Sequence, residues 1–369
     1  TFELIFLTHA NNISLMKKHN FSAGPCILSP EVIAGASEAV NDFNGMGLSL
    51  LEISHRDKNF VDVMNEARSL SKEIMGLDDD FEVLFLQGGA SLQFCMAPYN
   101  FMYSGGKAGY LVTGTWAKKA AAEATLFGEI VEVGSSADKN FSYIPKDLNI
   151  SDNLDYFHFT SNNTIVGTQI KEIPDTKVPL VCDMSSDIFS KKIDFNQFSL
   201  IYAGAQKNLG PAGTTLVAVR KSALGKTSRS IPSMLDYSKH INSDSMFNTP
   251  PVFSVYTSLL TLRWIKKIGG LSVVEKQNNS KAKYIYDEID RNTLFEGTAD
   301  KRNRSDMNVC FLLNDDSLKN KFNSLCSESG IVGINGHRSV GGYRASIYNA
   351  LPFESVKTLV DIMKHIELL

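Results

Sequence analysis

One stretch constrains this chain more than any other: Ser199-Leu-Ile-Tyr-Ala-Gly-Ala-Gln-Lys-Asn-Leu-Gly-Pro-Ala-Gly213. Ser199 to Tyr202 is a short apolar run bounded by turn residues, the pattern of a buried strand. Ala203-Gly204-Ala205 then lets a backbone or a flat ligand come close. Lys207 follows, and Gly210-Pro-Ala-Gly213 closes the loop as a turn cluster. A lysine in a turn is ordinarily a solvated charge. Small residues hem this one in, and it follows a strand end, where α/β sheets place ligands. Such an amine loses its proton more readily and can attack a carbonyl to form a Schiff base.

A second buried-strand pattern, Val178-Pro-Leu-Val-Cys-Asp183, ends on Asp183. An Asp there can cap the next turn. It can also face a protonated ring nitrogen. Asp at one strand end and Lys at the next suit pyridoxal 5'-phosphate. The lysine holds the aldehyde carbon, and the carboxylate keeps the pyridine nitrogen protonated so that the ring accepts electrons.

The remaining pattern supplies the frame. Helices are expected from Pro30, with Ser29 as N-cap, and over Asn59–Met75, closed by Gly76. Ser49–Ser54 reads as a short extended piece. Strands are expected over 82–86, 110–112, 130–133, 156–159, 180–182 and 200–202, with helices between several of them. A turn over 87–91 precedes a helix from Leu92. Residues 214–219 follow Lys207 with no room for a crossover helix, so this strand returns antiparallel. The expected fold class is α/β, with a mostly parallel mixed sheet. After Arg220 the rhythm changes. Ser245-Met-Phe-Asn-Thr-Pro-Pro251 is a stiff connector, and helices over 252–268 and 272–290 lead into a smaller α+β domain. The expected division is a large domain over 30–265 and a small one over 16–29 and 266–369.

Bulk properties exclude several classes. With 369 residues the chain has ample length for a core. Apolar content of 43% and charged content of 21% are those of a soluble globular protein. A formal charge of −3 gives no basic field for nucleic acid. No apolar run is long enough to span a membrane. The five cysteines lack CxxC or His-rich spacing, which implies reduced thiols, a cytoplasmic location and no metal centre. Residues 1–15 precede Met16-Lys-Lys-His-Asn-Phe21, carry no capping or helical pattern, and read as an extension outside the fold.

Other constellations bear on chemistry. Gln87-Gly-Gly-Ala-Ser91 joins a strand to a helix, and free amides at a helix start bind phosphate. It is neither a Walker A sequence nor a GxGxxG fingerprint. Trp116 is either packing filler or a stacking partner for a flat ring. Thr164 is either a turn hydroxyl or a partner for a ring hydroxyl. His55-Arg56, His337-Arg338 and Arg344 suit a substrate with several negative groups.

Six motifs in order then resemble the phosphoserine aminotransferase family. They are residues 19–25 (HNFSAGP), 54–56 (SHR), 87–94 (QGGASLQF), 202–213 (YAGAQKNLGPAG), 245–251 (SMFNTPP) and 336–349 (GHRSVGGYRASIYN). The match runs from about residue 17 to the end. It implies fold type I of the pyridoxal-phosphate enzymes and a homodimer with shared active sites. Lys207 would form the Schiff base, Asp183 would pair with the ring nitrogen, Trp116 would stack on the ring and Thr164 would meet its hydroxyl. Ala90, Ser91 and Gln206 would hold the cofactor phosphate, with Asn248 and Thr249 reaching in from the neighbouring subunit. Some relatives have Arg at the position of Ser91. Arg344 would bind the substrate α-carboxylate. His55, Arg56, His337 and Arg338 would take the substrate phosphate or the γ-carboxylate of L-glutamate. The implied reaction is amino transfer from L-glutamate to a phosphorylated 2-oxo acid in serine biosynthesis, with pyridoxine biosynthesis as a related route. The alternatives are another fold-type-I aminotransferase, such as the alanine–glyoxylate type, and a degenerate binding protein without chemistry.

Overall fold

A computed structural model describes residues 18–369. The expectation for residues 1–15 lies outside these residues. Two helices open the fold, α1 (Pro30–Asn41) and α2 (Lys58–Met75). Then come β1 (Phe81–Leu86), α3 (Gly89–Phe101), β2 (Lys107–Val112), α4 (Thr115–Ala124) and β3 (Glu129–Ser135). Four further strands follow: β4 (Tyr156–Thr160), β5 (Leu180–Asp183), β6 (Leu200–Gly204) and β7 (Thr215–Arg220). After a five-residue helical segment at Tyr237–Ile241 the chain forms α5 (Val252–Lys267) and α6 (Leu271–Arg291). The last elements are β8 (Phe295–Gly297), β9 (Asn308–Leu313), α7 (Lys319–Glu328), β10 (Tyr343–Ser346) and α8 (Phe353–Ile366).

Seven strands form one sheet in the order β1-β7-β6-β5-β4-β2-β3. Strand β7 is antiparallel to both β6 and β1, and every other pair is parallel. The sequence foresaw that reversal because ten residues separate Gly204 from Thr215, too few for a crossover. Strands β4, β5 and β6 are buried along their whole length. They read as continuous apolar runs because helices cover both faces. One face carries Phe157, Phe159 and Cys182 against Phe60 and Met64 of α2 and Leu259 and Leu262 of α5. The other carries Tyr110, Tyr156 and Tyr202 against Phe94 of α3 and Ala120 of α4.

A separate core lies in the C-terminal part. The antiparallel sheet β8-β9-β10 packs Phe295, Phe311 and Tyr343 with Phe322 of α7 and Leu359 of α8. Helix α6 serves both regions: Leu271 and Val274 pack with the large sheet, whereas Ile285 and Ile289 join the smaller core. Residues His19–Asn20 pair in parallel with Ile331–Val332, which ties the start of the described chain to the smaller unit.

Three local expectations are corrected. Helix α3 begins at Gly89 rather than Leu92. Gly88 takes φ +88°, and the Leu92 amide already donates to Gly88 O, so the glycine pair turns directly into the helix. Ser49–Ser54 is a turn, not an extended piece. Leu50 N donates to Ala39 O and Glu52 N to Ser49 O, which lets Leu50 and Ile53 fill the core under α1. Ser29 occupies the N-cap position, but its hydroxyl makes no capping bond. Pro30 beside it brings no amide that needs one.

Candidate active site

The site is built where β4, β5 and β6 end. Thr160, Asp183 and Tyr202 are side-by-side partners across the three strands. Their loops are stitched together just beyond: Ser161 N donates to Asp183 O at 3.0 Å and Met184 N to Tyr202 O at 2.9 Å. Gly204 N donates to Ser185 Oγ at 3.1 Å. Asp183 Oδ1 accepts from Ser185 N at 2.9 Å, so the turn-capping role is real. It does not exhaust the carboxylate, which is 5% exposed and raised above its ordinary range by burial, with the Lys207 ammonium opposing. A buried carboxylate in this setting wants a cation opposite it.

Lys207 is half-buried in the loop between β6 and β7. Burial lowers its pKa, Asp183 and Asp187 oppose the shift, and Arg344 adds to it. A lowered pKa leaves more of the amine neutral and nucleophilic. Ala205 N donates to Thr214 O, and Thr214 Oγ1 donates to Leu86 O. That links the lysine loop to the end of β1 and so to the start of α3, where Ala90 and Ser91 occupy the first turn. A Cβ at Gly88 would come within 2.5 Å of the Leu92 side chain. The first amides of a helix have no helical acceptor behind them, so this turn is a ready anion cradle. Gln206 is half-buried beside Lys207, and a Cβ at Gly204 would meet its Oε1 at 2.7 Å.

Three other candidates form one connected chain. Trp116 Nε1 donates to Thr164 Oγ1 at 3.3 Å, and Arg344 Nη1 donates to Thr164 O at 3.0 Å. Arg344 comes from β10 of the smaller unit, so this chain spans both regions. Its Nε is buried and has no partner among the described residues, leaving a donor for an incoming acceptor.

The outer candidates are placed differently. His55 and His337 are half-buried, and Arg56 and Arg338 are exposed. His337 Nδ1 bonds Ser339 Oγ at 2.7 Å, within its own loop. Asn248 and Thr249 are exposed, and only the Thr249 carbonyl is engaged, accepting from Gln87 Nε2. One chain therefore supplies Lys207, Asp183 and Gln206 beside the Trp116–Thr164–Arg344 set, whose Arg344 charge acts on Lys207, while Arg56, Arg338, Asn248 and Thr249 face solvent.

Sequence reasoning missed Asp187, which is 6% exposed and accepts from Ser161 Oγ and Gln169 Nε2. The polar run Met184-Ser-Ser-Asp187 reads as a solvated turn, because its acceptors and donors come from β4's loop, far away in sequence. The role of Cys26 was also missed. Its amide donates to Gln206 O at 3.1 Å and its thiol donates to Lys207 O. Gly24 packs so close that a Cβ there would lie 3.3 Å from Lys207 Cγ.

This combination of a mixed sheet with one reversed strand, a buried Asp at one strand end with a half-buried Lys in the loop after the next, and a glycine-turned helix start defines a fold-type-I pyridoxal-phosphate transferase. The chain belongs to the Aminotransferase class-V family, which it matches over residues 18–359. Within that family it is 63% identical over 353 residues to phosphoserine aminotransferase of Flavobacterium johnsoniae, covering 95% of this chain and 99% of the relative. A solved phosphoserine aminotransferase from Bacillus circulans subsp. alkalophilus superposes with a TM-score of 0.92 at 45% identity, covering 95% of this chain and 99% of that one. A phosphoserine aminotransferase from Trichomonas vaginalis with bound pyridoxal phosphate gives a TM-score of 0.89 at 34% identity, covering 94% and 100%. The alanine–glyoxylate aminotransferase of Nostoc shares the fold at 15% identity, with a TM-score of 0.74.

Proposed function

We propose that this enzyme transfers the amino group of L-glutamate to 3-phosphohydroxypyruvate, giving O-phospho-L-serine and 2-oxoglutarate in serine biosynthesis, by a ping-pong route. The observation that carries the reading is the Lys207–Asp183 pair beyond adjacent strand ends, with the hydrogen-bonded set Trp116, Thr164 and Arg344 and the Arg344 charge felt at Lys207, in a chain 63% identical to a phosphoserine aminotransferase. The residues fit pyridoxal 5'-phosphate: a buried carboxylate for its ring nitrogen, an aromatic face, a helix-start cradle for its phosphate and a lysine of lowered pKa for its aldehyde. When bound, that group supplies the electron sink that stabilises a carbanion at the substrate Cα.

The protein's own residues do the rest. Asp183 holds positive charge at the ring nitrogen, and its burial strengthens that pairing. Lys207 Nζ would hold the cofactor aldehyde in the resting enzyme and, as a free amine, would take the proton from the substrate Cα. Trp116 would stack on the cofactor ring, and Thr164, fixed by Trp116 and Arg344, would offer its hydroxyl to the ring hydroxyl. Ala90, Ser91 and Gln206 hold the phosphate end, with Asn248 and Thr249 supplied by the partner of a homodimer. Arg344 takes the α-carboxylate common to both substrates, using the free Nε. His55, Arg56, His337 and Arg338 take the distal phosphate or γ-carboxylate, where forked guanidinium donors suit an anion better than an ammonium does. The small domain over 16–29 and 266–369 carries Arg344 to the large domain over 30–265. No helix among the described residues is long and apolar enough to cross a membrane, and the enzyme is proposed to work in the cytoplasm.

The test is amino transfer from glutamate to a panel of 2-oxo acids. The expected outcome is a kcat/KM for 3-phosphohydroxypyruvate well above those for glyoxylate and pyruvate. A preference for glyoxylate would replace this reading with the alanine–glyoxylate type.

A further inference from the structure

Helix α6 carries a cation that the proposed chemistry does not use. Lys281 is 2% exposed and sits between the two cores. Its Nζ donates to Tyr348 O at 2.7 Å and Leu351 O at 3.2 Å, both main-chain carbonyls rather than carboxylates. Burial pushes this ammonium down to about 7, with only the Cys26 thiol opposing. A buried charge without a counter-charge is costly, and a leucine or methionine would fill the same space more cheaply. The geometry around the turn Tyr348–Leu351 shows what the lysine secures.

That turn holds the Lys207 loop from both sides. On one side Asn349 N donates to Asn208 Oδ1 at 3.1 Å, gripping the residue after Lys207. On the other, Tyr348 Oη donates to Ala23 O at 2.7 Å. Ala23 opens the short strap through Gly24 to Cys26, and the strap grips Gln206 O and Lys207 O as described above. Both neighbours of Lys207, and its own carbonyl, are thus fastened to residues whose anchor is one turn. Asn349 is further fixed by Asn278 of α6 and by Phe189 O, and Tyr348 Oη accepts from Asn308 Nδ2. The substrate-side Arg344 has its own separate anchor at Thr164 O.

We propose that Lys281 is a positioning residue for Lys207: it pins the Tyr348–Leu351 turn, which holds the Lys207 loop directly through Asn349–Asn208 and indirectly through the Ala23–Cys26 strap. The inference rests on the aminotransferase reading above only for the role of Lys207. Misplacing a reacting group by about 1 Å costs up to about 100-fold in rate. Loosening the turn should therefore lower kcat, while KM for glutamate, set largely by Arg344, stays close to its original value.

The test uses purified holoenzyme carrying Lys281→Met, Tyr348→Phe or both, at temperatures well below unfolding. Hydrogen exchange of the segment 205–213 reads the loop directly and needs no turnover. Single-turnover kinetics of the glutamate half-reaction, in which the limiting rate stands for kcat and the half-saturating glutamate concentration for KM, need no phosphorylated substrate, so a failure of the substrate assignment would leave this measurement intact. The expected result for Lys281→Met is exchange in 205–213 about tenfold faster and kcat about tenfold lower, with KM within twofold. Adding Tyr348→Phe should then cost less than it does alone, because both act on one strap. Unchanged exchange in 205–213 with unchanged kcat, even alongside a lower melting temperature, would reduce Lys281 to a packing role and overturn the proposal. Fully multiplicative losses would also overturn it. If Lys281→Met does not fold, Tyr348→Phe alone decides: faster exchange in 205–213 with a threefold or greater fall in kcat supports the strap, and wild-type values sink it.

Discussion

Two regions of the site are made in different ways. The inner region, from Lys207 and Asp183 to Trp116, Thr164 and Arg344, is completed by one chain. Asp183 closes a strand that pairs in register with its neighbours, Lys207 and Thr164 lie in loops beyond strand ends, and Trp116 and Arg344 come from α4 and β10; each is held by at least one hydrogen bond inside the fold. The outer region, Arg56, Arg338, Asn248 and Thr249, faces solvent in the same chain. Strand pairing and burial pre-organise the first region, which lowers the reorganisation that chemistry requires. The side chains of the second region make no hydrogen bond within the described residues, although the Thr249 carbonyl accepts from Gln87 Nε2. On the proposed reading, a substrate anion, a second subunit or both complete this region. The proposed function assigns the inner residues to reaction type and the outer ones to substrate choice and assembly.

The comparison predicts a ranking of losses. Lys207→Ala should leave a folded protein that still binds the cofactor but lowers kcat by roughly a thousandfold or more, since it removes the general acid–base and the anchoring amine together. Single-turnover absorbance with glutamate measures this, and substantial turnover would remove Lys207 from the inner region. Arg344→Ala should damage both half-reactions by about 100-fold, because its free Nε and fork are lost for the α-carboxylate that both substrates carry. A loss confined to one half-reaction would move Arg344 to the outer region. Arg338→Ala should be smaller and selective. It should cost about one to two powers of ten in kcat/KM for phosphoserine and less for glutamate, whose γ-carboxylate carries a smaller charge. Equal losses for the two substrates would show that this exposed Arg does not read the phosphate.

Legibility in the sequence follows the same division. Strands β4, β5 and β6 were readable because burial on both faces forces continuous apolar runs, and their polar ends mark the site at Asp183 and Lys207. The antiparallel return of β7 was readable from loop length alone. The start of α3 was not, because a glycine pair is compatible both with a loop and with a sharp entry into helix, and the Gly88 backbone decides between them. Asp187, Cys26 and Lys281 were illegible for a different reason. Their partners Gln169, Lys207 and Tyr348 lie 18, 181 and 67 residues away, and only the tertiary fold brings them together. The outer basic residues were marked by their clustering as His–Arg pairs, but their individual roles came only from motif resemblance, since Arg56 and Arg338 are exposed and no local packing signal singles them out.

The smallest expected effect tests the boundary between the two regions most sharply. Asn248 lies in the connector before Pro250-Pro251, which directs the chain into α5, and its side chain is exposed in the single chain. If it reaches the neighbour's cofactor phosphate, Asn248→Ala removes about one hydrogen bond, worth on the order of 1 kcal/mol, and cofactor affinity should fall about fivefold. Affinity in the homodimer cannot say which subunit's site is weakened, but mixed dimers can. Pairing a Lys207→Ala chain with an Asn248→Ala chain leaves one Lys207, on the chain that lacks Asn248. If Asn248 serves the neighbouring site, the Lys207→Ala chain supplies it, and that one site is fully native. The mixed dimer should then show about half the activity of the wild-type dimer with wild-type cofactor affinity, since one of two independent sites survives. If Asn248 serves its own chain, the surviving site retains the fivefold weaker affinity of the Asn248→Ala homodimer. Titrating cofactor into tagged, purified mixed dimers distinguishes the two, and the second result would place Asn248 with the residues that one chain completes.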